Sequence, residues 1–412
     1  MNKKNFMLIP VMAAFAIACN SGPVNGTVTE NNLPAGDTLP PVETRPAEND
    51  FQPAFEGQTR APGMRTSIEV KYSVVTDKLK KPWGVVSLPD GRLLVTQKEG
   101  TMVIVTGEGE VSKEISGIPE VDSRGQGGLL GLTLDPEFST NRIVYWAFSE
   151  PQQNGNLTAL AKGRLSDDET KMENVQVIYR ATPAFRSTLH YGGRVLFGKD
   201  GYLYLSTGER SDKASRPQAQ DLQSGMGKII RLTKDGQPAP GNPFENDANA
   251  RPEIYSYGHR NVQGLAFHPE TGDLWETEFG PRGGDELNRI EPGKNYGWPI
   301  ISYGMEYSGE PIPGKIARKE GLEQPVYYWD PVLSPSGMTF YTGDLIPEWK
   351  NDLFICGLNS MHIARIRIKD NKVAGEERLL ADQKERFRDI NQGNDGALYA
   401  VTDGGKLYRI GN

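Results

Sequence analysis

Cysteine is nearly absent: Cys19 and Cys356 are the only two in 412 residues, and they form none of the paired spacings of zinc sites or disulfide frameworks. Thiolate–metal chemistry and disulfide stapling therefore cannot carry the molecule. An excess of positive charge is also missing, with 46 Lys+Arg against 53 Asp+Glu for a net charge of −7. That balance excludes a dominant phosphate-neutralising face, and with it nucleic acid as a partner, while leaving room for a local basic patch around a small anion. Histidine is scarce too, at positions 190, 259, 268 and 362, with no metal-like pair among them. H-E-x-x-H, G-x-S-x-G, P-loop and EF-hand patterns do not occur. Gly125-Gln126-Gly127-Gly128-Leu129-Leu130-Gly131 misses the dinucleotide fingerprint and lies among strand patterns, which argues against a nicotinamide cofactor.

The apolar run over residues 6–18 follows Lys3 and Lys4 and has thirteen residues, the length of a signal-peptide core and short of a bilayer span. It ends Ala16-Ile17-Ala18-Cys19, which resembles a bacterial lipoprotein processing site with Ala16 in place of the usual leucine. Lipidation of Cys19 would leave Cys356 as the one thiol; a plain signal peptide with an incidental cysteine is the alternative. From Asn20 to about Pro62 there are seven prolines, and six acidic residues stand against two basic. Such a stretch buries too little to offset its ordering entropy and reads as a disordered tether. The expected division is therefore signal peptide 1–18, lipidated Cys and tether 19–64, and a globular domain 65–412.

Helix-period runs are almost missing from that domain, and a turn pair followed by alternating apolar residues takes their place. Copies begin at Asp90-Gly91, Asn141-Arg142, Asp200-Gly201, Gly272-Asp273, Asn351-Asp352 and Asp395-Gly396, spaced 51, 59, 72, 79 and 44 residues apart. Six units averaging about 61 residues suit four strands plus loops each, so the fold class expected is all-β, a six-bladed propeller of four-stranded antiparallel sheets. An irregular sandwich or stacked barrels would not explain the repetition.

Three constellations carry possible chemistry. His190, in Leu189-His190-Tyr191-Gly192-Gly193-Arg194, is either a general base or a hydrogen-bonded loop histidine. The stretch from Glu278 to Asn288, with Asn295-Tyr296-Gly297-Trp298-Pro299 after it, is oxygen-rich and Gly/Pro-bent, and reads equally as a calcium loop or an exposed acidic turn. Arg386 and Arg388 alternate on an extended segment, so both guanidinium groups share one face, for a multiply carboxylated ligand or for ion pairs.

Taken in order, KPWGVVSLPDGRLLVTQKEG (81–100), GQGGLLGLTLDPEF (125–138), HYGGRVLFGKDGYLYLSTGE (190–209), GHRNVQGLAFHP (258–269), EFGPRGGDELN (278–288), KNYGWP (294–299), SPSGMTFY (334–341) and RFRDI (386–390) resemble the soluble PQQ-dependent aldose sugar dehydrogenases of the glucose/sorbosone dehydrogenase family. The resemblance spans about residues 68–410 and implies a six-bladed propeller. It implies PQQ and Ca2+ as cofactors, with oxidation of the anomeric hydroxyl of aldoses to lactones. His190 would be the general base and Arg260 the cation beside the quinone oxygen. Gln126, Asn261, Arg386 and Arg388 would contact PQQ, the arginine pair meeting its carboxylates. Gly280 and Pro281 would give carbonyls to the active-site calcium, with Glu286 and Tyr296 holding a second, structural one. Three positions depart from the family pattern: Leu189 stands for Asp or Asn, Asn359 for a PQQ-contacting lysine, and Arg210 for an amide, as a cation that would partly compensate the lost lysine. Expected partners are an aldose and an outside quinone or cytochrome acceptor, with the membrane met only through the lipid anchor. The expected location is the periplasmic side of the envelope, the outer membrane favoured because Asn20 follows Cys19. Monomer and homodimer are both compatible. A calcium-dependent propeller lactonase and a non-catalytic sugar- or protein-binding propeller are the other two classes.

Overall fold

The computed structural model describes residues 39–412. The expected signal peptide, Cys19 and the first part of the expected tether lie outside the described residues. Among the described residues no helix is long and apolar enough to cross a membrane.

Six antiparallel sheets make up the domain, five of four strands and one of three. We number the blades by their innermost strands: Pro82–Ser87, Leu129–Leu134, Gly192–Phe197, Val262–Phe267, Pro335–Phe340 and Phe387–Gln392. These six pack against one another in a closed ring, which makes the fold a six-bladed propeller. Blade 1 is the three-stranded one, its outer side extended only by isolated bridges such as Met102 to Ile115. Blade 6 takes its outermost strand, Lys71–Thr76, from the start of the domain and pairs it with Leu407–Gly411 at the end, so the two ends lock the ring.

Each turn-and-strand unit seen in the sequence supplies the second strand of a blade, beginning at Leu93, Ile143, Leu203, Leu274, Leu353 and Leu398. The apolar core is split into layers between neighbouring blades. Leu94, Met102 and Ile104 of blade 1, for example, meet Leu129, Trp146 and Phe148 of blade 2. Strands buried on both faces read as continuous apolar runs, which is why periodicity alone is weak here.

Near the axis, the third residue of each inner strand is Gly84, Gly131, Arg194, Gly264, Gly337 or Asp389. A Cβ on Gly264 would stand 2.5 Å from Thr277 Oγ1 and 2.7 Å from the Ser336 carbonyl, so glycine is required by close approach. The space saved at these four positions is crossed by an ion pair between the other two.

Residues 39–64 correct the expectation of a free tether. They lie along blades 4 and 5, with Gln58 and Ala61 at 0% and 2% exposure. Gln58 Nε2 donates to the Pro325 carbonyl at 2.8 Å, the Ala61 amide to Tyr327 Oη at 2.9 Å, and Met64 N–H to the Glu376 carbonyl at 2.9 Å. Composition misjudges the stretch because the partners satisfying its backbone belong to the outer edges of those blades, which need covering.

Candidate active site

One end of the ring collects the loops entering the inner strands and those leaving the second strands. The entering loops bring Lys81, Gln126, His190, Arg260, Asn261, Ser334 and Arg386; the leaving loops bring Lys98, Glu209, Phe279 to Asp285, Asn359 and Asp403. Antiparallel pairing places both sets on the same face.

Two cavities share Gln126, Phe279 and Ser334. The first, about 470 Å³, is lined by Lys81, Trp83, Lys98, Arg386, Arg388 and Asp403, among others. The second, about 340 Å³, is lined by His190, Arg260, Gly280, Pro281, Asp285 and Asn359, among others.

His190 is 5% exposed, and its Nδ1 lies 2.6 Å from Glu209 Oε1. A carboxylate accepts, so Nδ1 carries the proton and Nε2 presents its lone pair. Burial, then the nearby Arg260 charge, brings the His190 imidazole down to about 4, so it is neutral at pH 7. The backbone is fixed with it: His190 N–H donates to Gln126 Oε1 at 2.8 Å, and its φ is +48°. Gly208 passes so close that a Cβ there would stand 2.5 Å from the His190 carbonyl carbon.

Arg260 donates from Nη1 to the carbonyls of Phe279 at 3.1 Å and Gly280 at 2.7 Å, and its guanidinium carbon lies 5.1 Å from the Trp298 ring centre. Arg260 Nε and Asn261 Nδ2 are buried donors without partners, while Asn261 Oδ1 accepts Gly192 N–H at 3.0 Å. Unpaired buried donors are costly, and Arg260, which lines the second cavity, fits an acceptor-rich ligand, whereas Asn261, 0% exposed, lines neither cavity. In the adjoining cavity Arg386 and Arg388 share the Asp403 carboxylate at 3.0 and 2.8 Å, which places both guanidinium groups on one face. With Lys81 and Lys98 they give that cavity four cations against one carboxylate, a charge set that fits a polycarboxylate.

Arg210 does not enter either cavity. It is 2% exposed, stacks 3.9 Å over the Tyr191 ring, and donates to the carbonyls of Asn156, Ser187 and Leu189. It ties down the loop before His190 and offers no compensation for the missing lysine. Leu189 is 37% exposed beside that loop, and Asn359 is exposed on the rim.

Behind Gly280 lies a void of about 10 Å³, lined by Glu278, Glu286, Tyr296 and Ser302. Glu276, Glu278 and Asn288 crowd beside it, all at 3% exposure or less, and Glu276 Oε2 and Asn288 Oδ1 have no partner. Burial, then the Glu278 charge, pushes the Glu276 and Glu286 carboxyls up. Such a set of hard, under-compensated oxygens fits a divalent cation. Asp285, pushed up to about 6 by burial, accepts N–H groups from Gly280, Leu333 and Ser334 at 3.0, 2.9 and 2.7 Å and thereby fixes the Gly280 loop.

A six-bladed propeller with a buried histidine–carboxylate pair at one mouth and a cation-lined cleft beside it is the architecture these features define. Residues 79–409 match the Glucose / Sorbosone dehydrogenase family, and the chain belongs to it. It is 41% identical over 348 residues to aldose sugar dehydrogenase YliI of Escherichia coli K12, covering 83% of this chain and 92% of that one. Quinoprotein glucose dehydrogenase B of Acinetobacter calcoaceticus is 30% identical over 261 residues, 57% of this chain and 54% of that one. Among solved structures, the apo form of soluble aldose sugar dehydrogenase from Escherichia coli superposes with a TM-score of 0.79 at 40% identity, covering 83% of this chain and 99% of that one. The PQQ-bound aldose sugar dehydrogenase of Streptomyces coelicolor gives 0.69 at 32% identity, over 83% of this chain and 98% of that one.

Glu209, Lys98 and Asp403 escaped the reading of the sequence. All three lie just beyond second strands whose repeats were legible, so the position after each repeat was the available signal.

Proposed function

We propose that this chain oxidises the anomeric hydroxyl of aldose sugars to lactones with PQQ, passing electrons to an outside acceptor. The observation supporting it most strongly is the neutral His190, fixed by Glu209, in a cleft shared with Arg260 and continuous with a four-cation cavity. When bound, PQQ supplies the two-electron acceptor for hydride from the anomeric carbon, and calcium supplies Lewis-acid polarisation.

His190 Nε2 takes the proton of the anomeric hydroxyl, and Glu209 stabilises the imidazolium so formed through Nδ1. Arg260 offers a fixed cation where negative charge develops. Gln126 would contact the cofactor, Asn261 would fix Gly192, which lines the same cavity, and Arg386, Arg388 and Lys98 would meet the cofactor's carboxylates. Gly280 and Pro281 would give carbonyls to the active-site calcium, and Glu286 and Tyr296 would hold the second. Export and lipid attachment at Cys19 belong to the same proposal, resting on Lys3, Lys4 and the run to Ala18; mass spectrometry of the mature N-terminus tests them.

The deciding assay mixes purified protein with calcium, an artificial electron acceptor and a panel of aldoses, with and without PQQ. Dye reduction only with PQQ is expected. Lactone hydrolysis without PQQ would replace this reading by a lactonase, and inactivity in both by a binding propeller.

A further inference from the structure

The pocket that holds His190 and Arg260 has one wall from outside the family domain. The family match begins at residue 79, yet Glu48 lines this cavity together with Arg282, Tyr307 and Val332. The stretch carrying Glu48 is fixed on both sides. Its own N–H donates to Asp330 Oδ1 at 2.7 Å, Asn49 Nδ2 to the Tyr303 carbonyl at 2.7 Å, and Arg60 Nη2 to the Asp330 carbonyl at 3.2 Å. With Gln58 and Ala61 buried farther along, the wall is built in, not laid against the mouth.

Glu48 is oriented by Arg282, whose Nε and Nη2 reach Glu48 Oε2 at 2.7 and 2.5 Å. Both contacts fall on one oxygen, which leaves Oε1 without a donor among the described residues. Tyr307, 71% exposed, lines the same cavity. An aromatic ring and a carboxylate oxygen without a donor are groups that take, respectively, the C–H face and the O–H edge of a polyol ring. Arg282 follows Pro281 directly, so this rim lies beside the reacting end of the pocket and not at a separate site.

We infer that Glu48, delivered by the N-terminal segment, is a specificity-determining residue: its carboxylate accepts hydrogen bonds from hydroxyls of the aldose remote from the anomeric carbon, in the cavity that Tyr307 also lines. This rests on the proposed sugar oxidation and names how that site selects among aldoses.

The test measures aldose binding to the calcium-loaded full chain by equilibrium dialysis, alongside steady-state kinetics with PQQ, for wild type, Glu48→Gln and Glu48→Ala. Glu48→Ala should raise KM and the sugar dissociation constant about tenfold, the loss of a charged hydrogen bond, with kcat within about twofold. Glu48→Gln should fall between, and PQQ affinity should not move in either variant. The expected loss is largest for aldoses bearing the full set of remote hydroxyls and smallest for their deoxy analogues. Equal KM and equal sugar binding in all three proteins overturns the inference while leaving the oxidation standing. Wild-type sugar binding that weakens in Glu48→Ala, without any PQQ-dependent turnover, upholds it and overturns the oxidation. A wild type that neither binds nor oxidises any aldose overturns both.

Discussion

Arg194 of blade 3 and Asp389 of blade 6 meet across the centre of the ring, Nη1 to Oδ1 at 2.8 Å, with side chains 8% and 7% exposed. These blades stand opposite one another, and the glycines at the matching positions of the other four leave room for the pair. Arg194 Nε also donates to the Gln263 carbonyl at 3.0 Å, its guanidinium lies 4.5 Å from the Trp83 ring centre, and Asp389 Oδ2 accepts Val85 N–H at 2.9 Å. Four blades are thus tied directly beneath the cleft. Removing one partner strands the other charge in a buried site, so Asp389→Ala should cost about 3–5 kcal/mol, read as a large fall in Tm. Asp344→Ala, which breaks the exposed pair with Lys350, should leave Tm nearly unchanged.

The acid limb of turnover tests the state of His190. Its native value of about 4 lies below the ordinary 6.5 because of burial first and Arg260 second, so the base stays neutral well into acid. kcat/KM should fall with an apparent pKa near 4 and not near 6.5. Stability follows the same linkage: below pH 6.5 the unfolded chain binds a proton that the native chain refuses. Native stability should therefore decline as pH falls from 6.5 toward 4, by about 3 kcal/mol from this residue, and His190→Gln should lose that slope in pH-dependent urea melts.

Cofactor affinity should depend on a lysine that does not stand at the family's position. Lys98 lines the cation-rich cavity, where its Nζ donates to the Ser123 carbonyl at 2.5 Å, and burial lowers its pKa. Lys98→Ala should weaken PQQ binding about tenfold in fluorescence titrations. Asn359→Lys, restoring a cation on the rim, should tighten it.

Calcium should act as a stabiliser through the buried carboxylates behind Gly280. Chelation should lower Tm of the calcium-loaded protein, in line with binding to the native state alone. Glu286→Gln removes one of the mutually repelling groups, so the chelated variant should melt higher than chelated wild type while gaining less from added calcium. Calorimetry with and without chelator reads both signs.

The propeller was legible because each blade's second strand begins at a turn pair that the ring repeats: Asp90-Gly91 before Leu93 and Asp395-Gly396 before Leu398 stand for all six. The ring glycines were visible as residues, but not the reason for them, since crowding at the axis is a property of six strands together. His190, Arg260 and Gln126, which line one cavity, stand in distinctive runs of the sequence. Glu209 could not be singled out there, as only the hairpin between Gly192–Phe197 and Leu203–Thr207 folds it back onto His190. Arg210 misled because charge was counted without direction. Glu48 was hidden for a different reason: its segment is polar and proline-rich, and the surface that orders it is spread over Pro325, Tyr327, Asp330 and Glu376.

One pair of numbers bears most directly on the account: turnover and PQQ dissociation constant for wild type and His190→Ala, with calcium and an aldose that the wild type oxidises. The account predicts a fall in kcat of at least about a hundredfold with PQQ affinity within about twofold. Wild-type turnover in His190→Ala, or a loss of activity explained wholly by lost PQQ, would contradict it.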